Sequence, residues 1–164
     1  MTDFRAVFRK IPALLRQELP PALHDFEWRA SSSMAKAWYG NKTLHYEIWV
    51  RPSLKVVELG LHFECDPLTN ARLGGAFRAR SKQIVRALGR GTRIEEWDRG
   101  WSRVWEQFPL ASLDEDALAR RFVAYVRALE PILREELPND VAWTIRKPRR
   151  AARGSASRGS RSAR

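Results

Sequence analysis

Residues 43–50 and 55–65 alternate apolar and polar side chains, and this alternation constrains the fold more than any other feature of the chain. The apolar positions are Leu44, Tyr46, Ile48 and Val50 in the first segment and Val57, Leu59, Leu61 and Phe63 in the second. Successive side chains of a β-strand point to opposite faces, so the pattern predicts two strands that each bury one face. The short loop around Arg51-Pro52-Ser53 between them favours antiparallel pairing. We therefore expect a sheet with one buried face and one polar face.

Further elements are predicted on both sides of this strand pair from helical spacing, capping residues and turn residues. They are a helix over 3–19, a strand over 26–39 turning at Gly40-Asn41, a helix over 66–88 that Gly89 closes, a hairpin over 92–97 and 101–108, a helix from a Ser112/Glu115 capping box to Pro138, and a short strand over 141–145. The predicted fold class is α+β, with an antiparallel sheet of about five strands in the order α-β-β-β-α-β-β-α and helices mainly on one face. This order resembles the topology of type III secretion chaperones and related bacterial regulators. A resemblance of topology implies the fold and not the activity.

The positive charge of the chain is concentrated near its C-terminal end. The sequence has 30 lysine and arginine residues and 19 acidic ones, a formal net charge of +11. Eight of the basic residues, and no acidic ones, fall in 146–164, so residues 1–145 keep 22 basic residues and a net charge of only +3. We therefore expect a single domain over 1–145 and a disordered basic tail, rich in Arg, Ser, Gly and Ala, over 146–164.

A basic tail without apolar anchors is typical of segments that neutralise phosphate groups. Together with the basic face of the 66–88 helix, it predicts a contact surface for nucleic acid or another polyanion. The predicted contact residues are Arg80, Lys82, Arg86, Arg146, Lys147, Arg149 and Arg150. Two alternatives stay open. Arginine outnumbers lysine 24 to 6, so the bias can reflect genome composition, and a charged tail can serve only to keep the protein soluble.

Two His-x-Glu motifs form the sharpest candidate site. His45 and Glu47 share the polar face of the first strand, and His62 and Glu64 share that of the second. A register in which paired residue numbers add up to 107 sets His45 directly across from His62, whereas neighbouring odd registers shift the partners but keep all four side chains on the same face. Two imidazoles and two carboxylates are a ligand set for zinc or non-haem iron, and the same groups can act as a general acid and base. The alternative is a polar sheet face whose cross-strand contacts are only structural.

Aromatic and basic side chains are predicted beside these motifs. Folding the 26–39 strand back about Gly40-Asn41 adds Met34, Lys36 and Trp38 to the polar face. The tryptophans expected there are Trp28, Trp38 and Trp49, joined by Trp97, Trp101 or Trp105 from the hairpin. Such a patch would dock a protein or a ligand, with Lys36, Trp38 and Trp49 among its binding residues. Alternatively, the sheet is covered on both sides and the rings belong to the core.

Several classes of protein are excluded by what the sequence lacks. It has no phosphate-binding loop, no dinucleotide-binding glycine motif and no serine-hydrolase elbow. The single cysteine, Cys65, excludes an internal disulfide and a multi-cysteine zinc site, and we interpret it as a small core residue and not as a nucleophile. No apolar run is long enough for a signal peptide or a membrane span, which predicts a soluble cytoplasmic protein without membrane partners.

These observations favour a non-enzymatic interaction module and predict no cofactor. In this hypothesis the sheet face docks a protein or ligand and the basic tail contacts nucleic acid or another polyanion. The alternative hypothesis is a metal-dependent enzyme that uses His45, Glu47, His62 and Glu64 on the sheet face.

Overall fold

The computed structural model describes residues 4–137, which form four α-helices and six β-strands. The helices are α1 (Phe4–Glu18), α2 (Pro67–Ala79), α3 (Ser81–Leu88) and α4 (Glu115–Glu136). The strands are β1 (Glu27–Ala30), β2 (Met34–Trp38), β3 (Leu44–Arg51), β4 (Val56–Phe63), β5 (Arg93–Glu96) and β6 (Ser102–Pro109). The strand predicted over 141–145 and the tail predicted over 146–164 lie outside the described residues.

All six strands pair antiparallel in one sheet with the order β1-β2-β3-β4-β6-β5, which confirms the predicted α+β class. The sheet has one strand more than expected because the segment predicted as a single strand over 26–39 folds into β1 and β2. A tight turn at residues 31–33 separates them. The backbone of Ser31 pairs with that of Met34, and the Ser31 hydroxyl accepts a hydrogen bond from the Met34 amide at 3.2 Å.

The helix predicted over 66–88 is also divided. The helical path changes at Arg80, whose amide donates to the carbonyl oxygens of Ala76 and Phe77, so α2 and α3 are separate helices. α2 packs closely against the sheet at Gly74, where an added Cβ would lie 2.8 Å from the Ser102 hydroxyl oxygen on β6. Gly75, by contrast, has open space around it.

The start of α4 differs from the prediction. Asp114, and not Ser112, is the N-cap residue, and its carboxylate accepts a hydrogen bond from the Ala117 amide at 2.6 Å. Ser112 lies in the short 3₁₀ turn that precedes the cap. Prolines lie inside α1 and α4, at positions 12 and 131, without ending either helix.

The core lies between the helices and the inner face of the sheet, on which the apolar residues of the alternating strands are buried. Phe122 of α4 packs against the rings of Trp28 and Tyr46, with centroid separations of 5.7 Å and 6.3 Å. The Tyr46 hydroxyl donates to a carboxylate oxygen of Glu130 at 2.9 Å, and Arg134 donates to the other carboxylate oxygen at 3.0 Å. This buried polar bridge joins the middle of the sheet to α4.

Candidate functional site

The outer face of the sheet, opposite the helices, carries the polar side chains of the alternating strands. Strand pairing sets Trp38 opposite His45, His45 opposite His62, and His62 opposite Arg103. Of the odd registers that the sequence allows, the structure has the one in which paired residue numbers of β3 and β4 add up to 107. Directly opposed residues place their side chains on the same face of a sheet, so this row brings together groups from β2, β3, β4 and β6.

The two histidines lie against each other in the middle of this row. Their rings are stacked, with centroids 5.3 Å apart and planes 4° from parallel. Trp97, from the connection between β5 and β6, contacts the His62 ring edge-on at 5.6 Å, and Trp101 packs on Trp97 at 5.8 Å. His45 is 1% exposed and His62 is 4% exposed, although both point away from the helices. The hairpin tryptophans thus cover the His62 side of the row.

Lys36 connects His45 to Glu47. Its ammonium donates to Nε2 of His45 at 3.0 Å and lies 2.7 Å from a carboxylate oxygen of Glu47. The other ring nitrogen of His45, Nδ1, donates to the backbone oxygen of Lys42 at 3.0 Å. Because a carbonyl oxygen can only accept, this bond identifies Nδ1 as the protonated nitrogen and leaves Nε2 with its lone pair.

Burial and neighbouring charges shift the protonation of this cluster. Burial favours the protonated form of Glu47, yet the Lys36 ammonium beside it holds the pKa of its carboxyl at about 2. Burial lowers the pKa of the His62 imidazole to about 3. At neutral pH the cluster therefore contains a carboxylate at Glu47 and an uncharged ring at His62.

Glu64 follows β4 and reaches toward both histidines. Its Oε1 atom lies 3.9 Å from Nε2 of His45 and 3.7 Å from Nδ1 of His62. Nδ1 of His62 is buried and makes no hydrogen bond with any residue in 4–137. His45, His62 and Glu64 each offer one potential metal-ligand atom, and these atoms all lie within 4.8 Å of one another.

A half-open groove of about 480 Å³ adjoins the His45 side of this cluster. Its walls combine apolar surface from Met34 and Trp38 with the basic side chains of Arg29, Lys36 and Lys42. The remaining lining residues are Ala30, Ser31, Thr43, His45 and Glu64. The volume is within the roughly 300–1,000 Å³ that is usual for small-molecule sites.

Trp49 shares the outer face with the histidines but lies apart from them. It is four residues further along β3 than His45, where it pairs with Met34 on β2 and Glu58 on β4. The guanidinium of Arg51 lies over its ring at 4.4 Å. The structure thus brings Lys36 and Trp38 to the histidine cluster, whereas Trp49 is at the other end of the strand.

Arg103 stabilises the opposite flank of the cluster. Its guanidinium lies 3.6 Å from the ring centroid of Trp105 and 4.5 Å from that of Trp97. The same group binds the carboxylates of Glu58 at 3.1 Å and Glu95 at 2.8 Å. The guanidinium makes all of these interactions within the protein, which is typical of a residue with a structural role.

The prediction that Trp28 joins the outer face is wrong. Because the chain reverses at residues 31–33, Trp28 pairs with Ala37 and shares the inner face, where its ring contacts Phe122. Cys65 is half-buried, and its sulfur lies 3.0 Å from the Thr43 hydroxyl. Burial raises the pKa of the Cys65 thiol, which does not favour a nucleophile.

Of the basic residues predicted for polyanion binding, one is ion-paired, two are exposed on a helix, and the rest lie outside the described residues. Arg80 is paired with the Glu135 and Glu136 carboxylates of α4, at 3.0 Å and 2.8 Å. Lys82 and Arg86 are exposed on α3. The other predicted contacts, Arg146, Lys147, Arg149 and Arg150, lie outside the described residues.

Sequence reasoning missed three contributors to this region: Arg29, Lys42 and the position of Trp97 over His62. A continuous strand over 26–39 cannot pair Arg29 with Lys36, whereas the turn at residues 31–33 sets them opposite each other. The serine run itself was the available signal, since serine is frequent in turns. The placement of Trp97 depends on how the hairpin folds, and no local pattern indicates it.

Comparison with family models, curated proteins and solved structures found no match to the chain. The topological resemblance to secretion chaperones accordingly has no support from these comparisons. Within residues 4–137, no helix has the length and apolar character needed to cross a membrane.

Proposed function

We propose that this chain is a non-enzymatic binding module whose outer sheet face receives an anionic group carried on an apolar body. The observation behind the proposal is the groove beside His45, which is lined by two exposed basic side chains and by the ring of Trp38. The ligand can be a small molecule or an acidic side chain of a partner protein, since both present the same chemistry to the groove.

The charges of the groove favour an anion. Arg29 and Lys42 are exposed and form no ion pair with any residue that the structure describes, whereas Lys36 is already paired with Glu47. Glu64 is the acidic residue among the lining side chains, so basic groups outnumber it. A carboxylate or phosphate placed between Arg29 and Lys42 would gain charge-assisted hydrogen bonds.

The apolar part of the ligand would pack on Trp38 and Met34. Trp38 is half-buried, so one part of its ring is held by the sheet while another part remains accessible. Aromatic walls of this kind supply large contact area at little cost in conformational entropy. Recognition and not bond-making is favoured, because the Lys36 ammonium is engaged with Glu47 and His45.

A pair of aromatic probes that have the same shape and differ in charge tests the groove. We expect 2-naphthoate to bind with a dissociation constant at least tenfold lower than that of the uncharged 2-naphthamide, measured by calorimetry. Arg29→Gln and Lys42→Gln should each weaken naphthoate binding several-fold. Arg90→Gln, which removes an exposed charge outside the groove, should leave it unchanged. Equal binding of the two probes, or equal effects of all three substitutions, would refute the anionic ligand.

The second part of the proposal is a polyanion contact through the basic tail, assisted by Lys82 and Arg86 of α3. Binding of a double-stranded DNA of random sequence should weaken steeply with salt, because each neutralised phosphate contributes about −0.9 to the slope of log K against log salt. Deletion of residues 146–164 should flatten that slope by several units. An unchanged slope would remove the tail from the function. A cytoplasmic location, where such a partner is accessible, is part of the same proposal.

A further inference from the structure

The strongest unexplained feature is the convergence of His45, His62 and Glu64 at the edge of the sheet where β3 begins and β4 ends. Their potential ligand atoms lie within 4.8 Å of one another. In tetrahedral zinc sites the bonds are about 2.0–2.2 Å long, so neighbouring ligand atoms lie about 3.3 Å apart. The 3.9 Å and 3.7 Å separations from Glu64 to the two rings exceed this by roughly half an ångström. Closing the site around an ion therefore requires a small movement of Glu64 and a rotation of one imidazole, since the ligand atoms now lie up to 4.8 Å apart.

The hydrogen bonds of His45 place a lone pair on the nitrogen that faces Glu64. Nδ1 donates to the Lys42 carbonyl oxygen at 3.0 Å, and Nε2 accepts from the Lys36 ammonium at 3.0 Å, so the lone pair is on Nε2. Metal-binding histidines usually make this kind of bond through their other nitrogen, because it orients the ring and raises its basicity. The backbone of the β2–β3 connection thus already supplies the outer partner that a ligand histidine needs.

The second histidine has a buried nitrogen without a partner. Nδ1 of His62 makes no hydrogen bond with any described residue, although it is out of contact with solvent. Buried polar atoms in folded proteins nearly always have a hydrogen-bond partner. A nitrogen without a partner, among side chains that can ligate a metal, therefore indicates that a bound group is missing. The parallel stacking of the two rings means that one ring must turn before both lone pairs meet at one point. Turning His62 about its side chain would not break any hydrogen bond at Nδ1.

A cation is already held at the edge of this cluster. The Lys36 ammonium lies 3.0 Å from Nε2 of His45 and 2.7 Å from Glu47. Its side chain is 30% exposed and lines the groove, so it has room to move toward solvent. The ammonium thus competes for the same nitrogen that would bind a metal ion.

From this geometry we propose that His45, His62 and Glu64 bind one divalent transition-metal ion of the Zn²⁺ class, and that Lys36 competes with the ion for Nε2 of His45. Two imidazoles and one carboxylate suit zinc and cobalt, and three protein ligands leave a further coordination position. Two of the ligands, His45 and Glu64, line the groove, so that position faces it. The proposal concerns the ion alone and does not depend on the anionic ligand proposed above.

The test uses the full chain purified without an affinity tag. Titration with Co²⁺, followed by its visible absorption, and competition with Zn²⁺ should show one ion per chain. Lys36→Met should tighten binding at least fivefold because it removes the competing ammonium. Lys55→Met, an identical change at an exposed position between β3 and β4, should leave the affinity within twofold of wild type.

Loss of a ligand should weaken binding at least tenfold in His62→Gln and Glu64→Gln. Glu64 is the more exposed of the two, so its variant keeps the test decisive if circular dichroism shows that His62→Gln does not fold. Absence of stoichiometric binding in both wild type and Lys36→Met would overturn the metal site. Wild-type affinity in a folded ligand variant would overturn the assigned ligands. Equal affinities of wild type and Lys36→Met would overturn the competition.

Discussion

The buried bridge from Tyr46 to Glu130 allows a quantitative prediction about stability. Tyr46→Phe deletes one hydroxyl in the middle of β3 and leaves the ring in the core. The Glu130 carboxylate then loses the donor that now lies 2.9 Å away and keeps the one from Arg134 at 3.0 Å. Glu130 is 2% exposed, so water cannot replace the lost hydroxyl.

The magnitude follows from the charge of the acceptor. A hydrogen bond to a charged group contributes about 1.5–3 kcal/mol to the free energy of unfolding, compared with about 0.5–1.5 kcal/mol for a neutral pair. We expect Tyr46→Phe to cost about 1.5–3 kcal/mol at a pH where Glu130 is ionised. Tyr39→Phe is the matched control, because the Tyr39 hydroxyl donates to the uncharged carbonyl oxygen of Leu23 at 2.8 Å. Its cost should be about 0.5–1.5 kcal/mol.

The pH dependence has a definite sign. Burial raises the pKa of the Glu130 carboxyl above that of the unfolded chain, an effect that outweighs the bonds from Arg134 and Tyr46. Because the pKa of Glu130 is higher in the folded state, its contribution to the free energy of unfolding is complete below the pKa of the unfolded chain. That contribution is lost as the pH rises through the folded pKa. The Tyr46 hydroxyl stabilises the carboxylate form, so the cost of Tyr46→Phe should grow over the same rise in pH.

Urea unfolding followed by circular dichroism at pH 4 and pH 7 measures both effects. The Glu130→Gln background removes the charge, and there the extra cost of Tyr46→Phe should vanish in a double-mutant cycle. Equal costs for Tyr46→Phe and Tyr39→Phe at both pH values would refute the reasoning. So would a coupling free energy with Glu130 close to zero.

Three further substitutions and one control, Ser112→Ala, test the packing and capping that hold the site in place, each by its free energy of unfolding in urea. Gly60→Ala should cost about 1–3 kcal/mol, because the new Cβ would lie 2.8 Å from Cβ of Trp105; a neutral result would contradict that close approach. Arg103→Met should cost about 3 kcal/mol, since it leaves a buried glutamate without one of its partners, and an unchanged stability would show that this ion pair is dispensable. Asp114→Ala should cost about 1 kcal/mol through loss of the α4 cap, whereas Ser112→Ala should have almost no effect; the reverse order would restore the capping box predicted from the sequence.

Much of the sheet could be predicted because its information is local. Alternation with a period of two determines which side chains of β3 and β4 share a face, and burial of one face leaves few registers open. By that reasoning the sequence places His45 and His62 on the same face, and the observed register sets them directly opposite each other. The predicted helix order was correct for the same reason, since apolar spacing and helix-stop signals are also local.

The errors arose where two local signals competed. A serine turn divides the predicted 26–39 strand and reverses its direction, which moves Trp28 to the inner face and brings Arg29 beside Lys36. At α4, two residues of good capping type lie close together, and only the folded chain shows that Asp114 makes the bond. Residue type alone does not decide between neighbouring caps.

The candidate site depends both on local sequence patterns and on tertiary contacts. By itself, the sequence determined that His45, Glu47 and His62 share the polar face of the sheet, because strand geometry leaves no other arrangement once the apolar face is buried. Only the tertiary structure shows that Lys36 engages His45 and that Trp97 covers His62. The same is true of the missing hydrogen-bond partner of Nδ1 of His62 among the described residues. These features depend on side-chain conformations and on contacts between segments distant in sequence. Periodicity carries no information about either, because it records which face a residue occupies and not what it meets there.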